Sequence, residues 1–348
     1  MSVTTAETTE SVITAETVAE EFRFRTRKPT SLWRDAWRRL LRNKLAIVGM
    51  VVLGIFLIMA VAADNYLLIL PRTLSQVELA EDTTGPLAFL RAWGELTTKQ
   101  ATPLLAPYDP YEQELLRRRE TPSGEFLLGL DETGRDMLSR IIHGSRASLQ
   151  VGLGSVSFAI VMGALVGAVA GFLGCWVDNL LMRLMDIMLA FPAMLLAIAV
   201  VSILGPGLMN MLYAIAIVSI PIYARIVRAS VLSVKEQDYI LAARCIGVPP
   251  VRMLFRNVLP NCLTPLIVQG TLGIATAILN AAGLSFLGLG AQPPRAEWGA
   301  MLGRGRGSIF TAPHIVIFPG IAIMLLVLGF NLLGDGLRDS LDPRLRID

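Results

Sequence analysis

The stretch Lys235-Glu236-Gln237-Asp238-Tyr239-Ile240-Leu241-Ala242-Ala243-Arg244-Cys245-Ile246-Gly247, continued by Val248-Pro249-Pro250 and closed by Phe255-Arg256-Asn257-Val258-Leu259-Pro260, separates two charge-free runs. It reads as a short helix, a glycine suited to a sharp turn, and a second short helix opened by proline. A last proline stands before the next apolar run. Arg225, Arg228, Lys235, Arg244, Arg252 and Arg256 are opposed here only by Glu236 and Asp238. Short connections rich in Lys and Arg are retained in the cytoplasm. The stretch is therefore expected to project there as a helix pair able to dock as a rigid unit in a groove of another protein.

The runs on either side extend from 187 to 224 and from 257 to 294, and others cover 45–63, 147–177 and 307–334. Nineteen residues from Leu45 to Ala63, rising 1.5 Å each in a helix, match a hydrocarbon core of roughly 30 Å. The 187–224 run is twice that length, and Gly205-Pro206-Gly207 breaks it in two. Six spans are predicted, at about 45–63, 149–173, 184–204, 208–226, 263–284 and 313–333. Ala60-Val61-Ala62 resembles a leader cleavage site, but the apolar run before it exceeds an ordinary leader core and forty-four residues precede it. An uncleaved span is the reading adopted.

Composition agrees. Of 348 residues 53% are hydrophobic and 17% charged, which excludes two soluble domains and a disordered chain. The three cysteines, Cys175, Cys245 and Cys262, exclude a disulfide scaffold and are not at metal-ligand spacing. Arg34, Arg38, Arg39, Arg42 and Lys44 before the first span, against Asp35 alone, place the N-terminus in the cytoplasm, and an even number of crossings returns the C-terminus there. Residues 1–30 are expected to form a mobile tail and 31–44 an amphipathic interfacial helix. The 64–147 connection, in which acids outnumber bases, is expected outside. The transporter core is 148–333, with the projecting loop at 232–260 and a cytoplasmic tail at 334–348.

Enzyme motifs are missing. None of the four lysines, Lys28, Lys44, Lys99 and Lys235, follows a glycine, so there is no P-loop. Gly283-Leu284-Ser285-Phe286-Leu287-Gly288 has one residue too many for a serine nucleophile turn. His143 and His314 are the only histidines and predict no metal site. Gly303-Arg304-Gly305-Arg306-Gly307 is one short copy of an RNA-binding type of tract and is read as a mobile outer loop, with no nucleic-acid partner expected.

Polar and small residues inside the spans carry the remaining information. Ala159, Gly163, Gly167 and Gly171 recur every four residues, a seam for close helix packing within the chain or against a second subunit. Gln269, Gly273, Thr276 and Asn280 form a stripe on the fifth span. Facing lipid, the amides would cost a few kcal/mol each, so the stripe is expected to face inward. It either lines a solvated route or bonds to another helix. Arg183 and Asp186, three apart, are placed to pair with each other.

The 232–260 segment resembles the "EAA" loop of ABC importer permeases. In that pattern Glu-Ala-Ala is followed by three residues, Gly, nine residues, Ile, any residue and Leu-Pro. Ala242, Ala243, Gly247, Leu259 and Pro260 stand at the matching positions, while Leu241 replaces the glutamate and Asn257 the isoleucine. Glu236 or Asp238 supplies charge nearby. Further segments point to the "C" member of the peptide and nickel permeases: Ala106-Pro107-Tyr108-Asp109-Pro110, Leu128-Gly129-Leu130-Asp131-Glu132-Thr133-Gly134-Arg135-Asp136, and Asn331 to Asp339 with Leu341-Asp342-Pro343-Arg344. Residues from about 65 to 102 look inserted relative to compact members.

The resemblance implies an all-α, six-helix type I ABC importer transmembrane domain in a bacterial or archaeal plasma membrane. A homologous second permease, two ABC ATPases that bind ATP and Mg, and an extracytoplasmic substrate-binding protein are the implied partners. This chain would have no cofactor and no catalytic residue. Glu236, Asp238, Leu241 to Arg244, Gly247, Arg256, Leu259 and Pro260 would contact the ATPase. Di- or oligopeptides are the implied cargo, with nickel chelates, glutathione or oligosaccharides as alternatives. Rival classes are a self-sufficient channel or secondary transporter, which should carry ionisable residues deep in its spans, and an intramembrane hydrolase, which needs a nucleophile and base at one depth.

Overall fold

The computed structural model of the chain describes residues 37–63 and 106–341. The predicted N-terminal tail and the inserted segment at 65–102 lie outside these residues, as do 31–36 of the predicted interfacial helix. A short helical stretch covers 37–40, a turn follows at 41–43, and the first long helix, α1, spans Lys44–Ala62. The expected helix over 31–44 is thus interrupted, because Asn43 is extended (φ −78°, ψ 110°) and its side chain accepts from the Leu45 and Ala46 amides. A residue capping a helix in this way cannot also continue one. One side of α1 turns Val48, Val51, Ile55 and Ile58 outward, the surface expected to face lipid. The other packs on the last helix, where a Cβ at Gly49 would stand 2.9 Å from the Gly329 carbonyl oxygen.

Helix α2, Met137–Leu173, begins twelve residues before the predicted span, capped by Asp136, whose carboxylate accepts from the Ser139 amide at 2.7 Å. It ends at Gly174 (φ +68°). The predicted third span at about 184–204 falls across two helices, α3 at Cys175–Ala190 and α4 at Ala193–Leu204, bent by 95°. Pro192 explains the bend: it has no amide hydrogen, and its ring drives Phe191 into an extended conformation (φ −90°, ψ 140°). Helix α5, Leu208–Val234, runs a further two turns beyond the predicted fourth span.

The projecting segment holds α6, Asp238–Cys245, and α7, Pro250–Met253. The chain continues through a π turn at Leu254–Val258 and a 3-10 turn at Leu259–Cys262 into α8, Leu263–Phe286. Pro260 cannot donate to the Arg256 carbonyl, which accounts for the irregular winding there. The glycine-arginine tract is not a loop: α9, Trp298–Gly305, contains its first half, and Glu297 caps that helix through the Gly299 and Ala300 amides at 2.9 and 2.8 Å. Helix α10, His314–Leu341, includes part of the predicted tail.

Among the described residues five helical stretches are long and apolar enough to cross a membrane, and the bent α3–α4 pair makes up to six. Among the described residues two large apolar clusters hold them, with a small third around Ala63, Ala106 and Ile142. One joins α2, α4, α5 and the projecting segment to α8; the other joins α1, α2, α9 and α10 to the opposite side of α8. A Cβ at Gly336 would meet Ala46, and the Lys235 ammonium donates to the Gly171 carbonyl at 3.3 Å. The start of α1, the ends of α2, α5 and α10, and α6 therefore share one end of the bundle.

Candidate functional site

The helix pair α6–α7 is anchored from below and bare above. Ile240, Met253, Val258 and Cys262 are buried in the core beside α5. Asp238 in the first turn of α6 and Arg244 in its last suit the helix dipole. At the end of α6, Val248 N–H donates to Ala243 O and Gly247 N–H to Arg244 O, both at 3.1 Å, closing a Schellman turn with Gly247 at φ +78°. A Cβ at Gly247 would meet only open space, so the backbone conformation and not packing calls for glycine. The Asn261 amide donates to the Tyr239 hydroxyl at 3.0 Å and ties α6 to the start of α8.

On the solvent side Glu236, Asp238, Ala242, Arg244, Arg256 and Pro260 are exposed, while Ala243 and Leu259 are half-buried. Leu241 and Phe255 are exposed as well, with Ile246 at 81% and Val251 at 69%. Leu241 and Ile246 lie between the two helical stretches Leu208–Val234 and Pro250–Phe286 that are long enough to cross a membrane, and Val251 and Phe255 lie at the start of the second. Large apolar side chains this open between basic residues form a surface suited to another protein. The loop residues named from the sequence are thus brought together. Ile246, Val251 and Phe255 were not singled out there, because one apolar residue in a short segment has no period to say which face it occupies.

The stripe on α8 is divided. Gly273 sits against α5, where an added Cβ would lie 2.1 Å from the Tyr223 hydroxyl oxygen. Gln269 and Asn280 are half-buried and Thr276 is exposed. The Thr276 hydroxyl donates to its own helix at Leu272 O, 3.4 Å away. The polar side chains therefore lie along a partly open side of the single chain. Tyr223, buried and fifty residues away in sequence, joins this stripe only through the α5–α8 contact.

The small-residue seam lies within the chain. Ala159 is fully buried. Added Cβ atoms would lie 2.7 Å from Tyr223 Cβ at Gly163, 2.2 Å from the Ala224 carbonyl oxygen at Gly167, and 3.1 Å from the Arg228 carbonyl oxygen at Gly171. Only hydrogens at these positions let the backbones of α2 and α5 approach so closely.

Ion pairs lock α3 onto the same α5. Arg228 donates through Nε and Nη2 to both Asp178 oxygens at 2.5 and 2.6 Å, a bidentate pair. Asp186 accepts from Arg225 at 2.5 Å. The expected Arg183–Asp186 pairing is replaced by Arg225–Asp186, because the bend after α3 lays that helix along α5 and brings the Arg225 guanidinium within reach of the carboxylate.

At the opposite end, residues 106–136 form a compact irregular segment. Arg117 binds Glu120 at 2.6 Å and Glu125 at 2.9 Å, and the hydrogen bond to Arg117 lowers the Glu120 pKa. Asp131 Oδ1 accepts from the Thr133 amide at 2.7 Å and the Arg135 amide at 3.0 Å, which shapes the Asp131-Glu132-Thr133-Gly134-Arg135 turn. His314 Nε2 reaches the Leu130 carbonyl at 3.2 Å, and Trp298 Nε1 donates to Ile141 O at 3.0 Å through the gap left by Gly144. Burial raises the Glu132 pKa. Among the described residues no group of three or more His, Cys, Asp or Glu is arranged to hold a metal ion.

Comparison with known proteins places these features. Residues 163–347, which contain the three glycines of the seam, the projecting pair and the α8 stripe, match the family described as binding-protein-dependent transport system inner membrane component. Residues 31–82 match the N-terminal TM domain of oligopeptide transport permease C. The dipeptide transport system permease protein of Alkalihalophilus pseudofirmus is 45% identical over 91% of this chain and 91% of its own length. A di/tripeptide transport permease of Pseudomonas aeruginosa is 53% identical over 70% of this chain and 82% of its own. The glutathione transport permease of Pectobacterium atrosepticum is 42% identical over 90% and 92% respectively. A multi-span helical bundle with a projecting helix pair, matched over more than half its length, thus belongs to the family of binding-protein-dependent transport system inner membrane components.

Proposed function

We propose that the chain is the permease subunit of an ATP-driven importer of di- or oligopeptides and forms half of the translocation path. The observation that carries this is the bare apolar surface of the α6–α7 pair, Leu241, Ile246, Val251 and Phe255, braced by buried Ile240 and Val258. A rigid handle at one end of a helical bundle suits a motor supplied by another chain. In this reading two ABC ATPases bind ATP and Mg and grip the handle, and the non-catalytic helices rock between outward-facing and inward-facing states. The basic surroundings of the handle support a cytoplasmic position for it and for both termini.

A homologous second permease covers the half-open side of α8 and completes a route past Gln269, Thr276 and Asn280. An extracytoplasmic binding protein delivers cargo to the other end. Peptide cargo is supported by the names of the dipeptide and di/tripeptide relatives. Glutathione, named for a third relative, is itself a peptide.

The test is Ile246→Asp in the assembled importer. This residue is almost wholly exposed, so the change leaves membrane insertion intact. Dialanine uptake and cargo-stimulated ATP hydrolysis are expected to fall at least roughly tenfold, the scale of losing an interface anchor. Full uptake with the variant would refute the handle.

A further inference from the structure

Helices α1 and α10 meet at glycines toward the handle. A Cβ at Gly49 would stand 2.9 Å from the Gly329 carbonyl oxygen, and one at Gly336 would stand 2.4 Å from Ala46 Cβ. Away from the handle, Gly54 and Gly320 have nothing within 4 Å of an added Cβ. There a groove of about 310 Å³ separates the two helices, from Val52 to Met59 on α1 and from Phe318 to Leu325 on α10. Leu128 of the outer segment and Ile141 in the first turns of α2 also line it, and every lining side chain among the described residues is apolar.

The groove has a direction and a depth. The two helices run antiparallel, so it follows both of their axes. Its length along α1, at 1.5 Å per residue, is about 10 Å, roughly a third of a hydrocarbon core. Met59 is in the last turn of α1, which places the groove in the half of the membrane away from the handle. Ile55 and Ile321 form its rims, and both are exposed on the apolar side that faces lipid. Phe56 and Ala322, each only 6% exposed, form its floor. Behind the floor the Phe56 ring meets Trp298 edge-on at 5.5 Å.

We infer that this groove binds one acyl chain of a phospholipid from the leaflet away from the handle. Its mouth is continuous with the lipid-facing surface, and its axis runs as acyl chains do. Left without an occupant, the floor would forfeit dispersion contacts on one side, and a narrow, flexible hydrocarbon chain restores them. The lining offers no polar group to a headgroup, so binding is indifferent to headgroup chemistry. The inference rests on the membrane-spanning helices and is independent of the cargo.

The test reconstitutes the assembled importer in vesicles of phosphatidylethanolamine and phosphatidylglycerol, doped with a phospholipid that carries a diazirine midway along one acyl chain. One portion is irradiated in the bilayer and another after exchange into excess lipid-free detergent, and adducts are mapped by peptide mass spectrometry. Ile58 and Met324, exposed beside the groove, serve as the ridge reference. In the bilayer, floor and ridge are both expected to be labelled. After exchange, labelling at Phe56 and Ala322 is expected to exceed that at the ridge by at least roughly fivefold, the scale that about ten extra carbon–carbon contacts supply. Probes with either headgroup are expected to give the same ratio. Ala322→Phe fills the floor and is expected to bring the ratio to one. If that variant fails to assemble, Ile321→Phe narrows the mouth and is expected to lower the ratio.

A wild-type ratio of one after exchange would overturn the inference. So would a ratio unchanged by the variant that assembles. Labelled ridges with an unlabelled floor in the bilayer would show that a protein segment covers the groove and would also overturn it. A ratio that depends on the headgroup would place recognition outside the apolar lining, with the same consequence. Uptake is not a readout, so a failure of the importer reading leaves the comparison intact.

Discussion

Replacing glycines by alanine one at a time along the bundle should reverse sign according to what each hydrogen faces. Alanine in a helix interior is ordinarily favourable over glycine by about 0.5–1 kcal/mol, because it restricts the unfolded chain. Gly54 in α1 and Gly320 in α10 have nothing within 4 Å of an added Cβ, so this gain should appear there. At Gly167 the new methyl would stand 2.2 Å from the Ala224 carbonyl oxygen. A carbon and a carbonyl oxygen need a separation more than an ångström greater, and the obstacle is backbone that no rotamer change relieves. Helices α2 and α5 must part locally, and overpacking of this kind costs about 1–3 kcal/mol. Gly163→Ala, facing Tyr223 Cβ at 2.7 Å and the Ile220 carbonyl oxygen at 2.9 Å, should cost less. Gly171→Ala, at 3.1 Å, should cost least. Thermal unfolding of the detergent-solubilised complex, followed by tryptophan fluorescence, gives the order Gly167, Gly163, Gly171, with Gly54 and Gly320 above wild type. If Gly167→Ala and Gly320→Ala shift the transition equally, the direct backbone contact of α2 with α5 is wrong.

Three other outcomes are expected. In double-mutant cycles read by thermal stability, Asp178 and Arg228, whose side chains are 14% and 35% exposed, should couple by about 1–3 kcal/mol. Asp186 and Arg225, both half exposed, should couple by less than about 1 kcal/mol. Asn280→Leu should change transport rate or cargo selection with stability kept; unchanged transport with a lowered melting temperature would make the stripe a packing element. Glu132 has its folded-state pKa raised by burial, so its contribution to stability is present below the unfolded pKa and is lost as pH rises through the folded value. Glu132→Gln should therefore raise the melting temperature more at pH 8 than at pH 5, and a pH-independent effect would refute the assignment.

Much of this architecture was written locally. An apolar run long enough to cross a bilayer declares itself without knowledge of its neighbours, since lipid forces each backbone amide to bond within its own helix. The Ala242 to Pro260 pattern was equally legible, because a helix end needing φ > 0 at Gly247 and a start tolerant of Pro250 are properties of a few adjacent residues. Even the bend at Pro192 was written there and was passed over because the charge-free run continued through it.

What the tertiary structure alone decided depends on residues far apart in the chain. The choice of Arg225 over Arg183 as the partner of Asp186, the assignment of the glycine seam to α5 within the same chain, and the meeting of Met59, Leu128 and Phe318 at one groove all follow from how helices are laid beside one another. Periodicity tells which side of a helix is small, polar or charged. Which other helix receives that side is set by packing among all of them together, and no stretch of sequence carries that information alone.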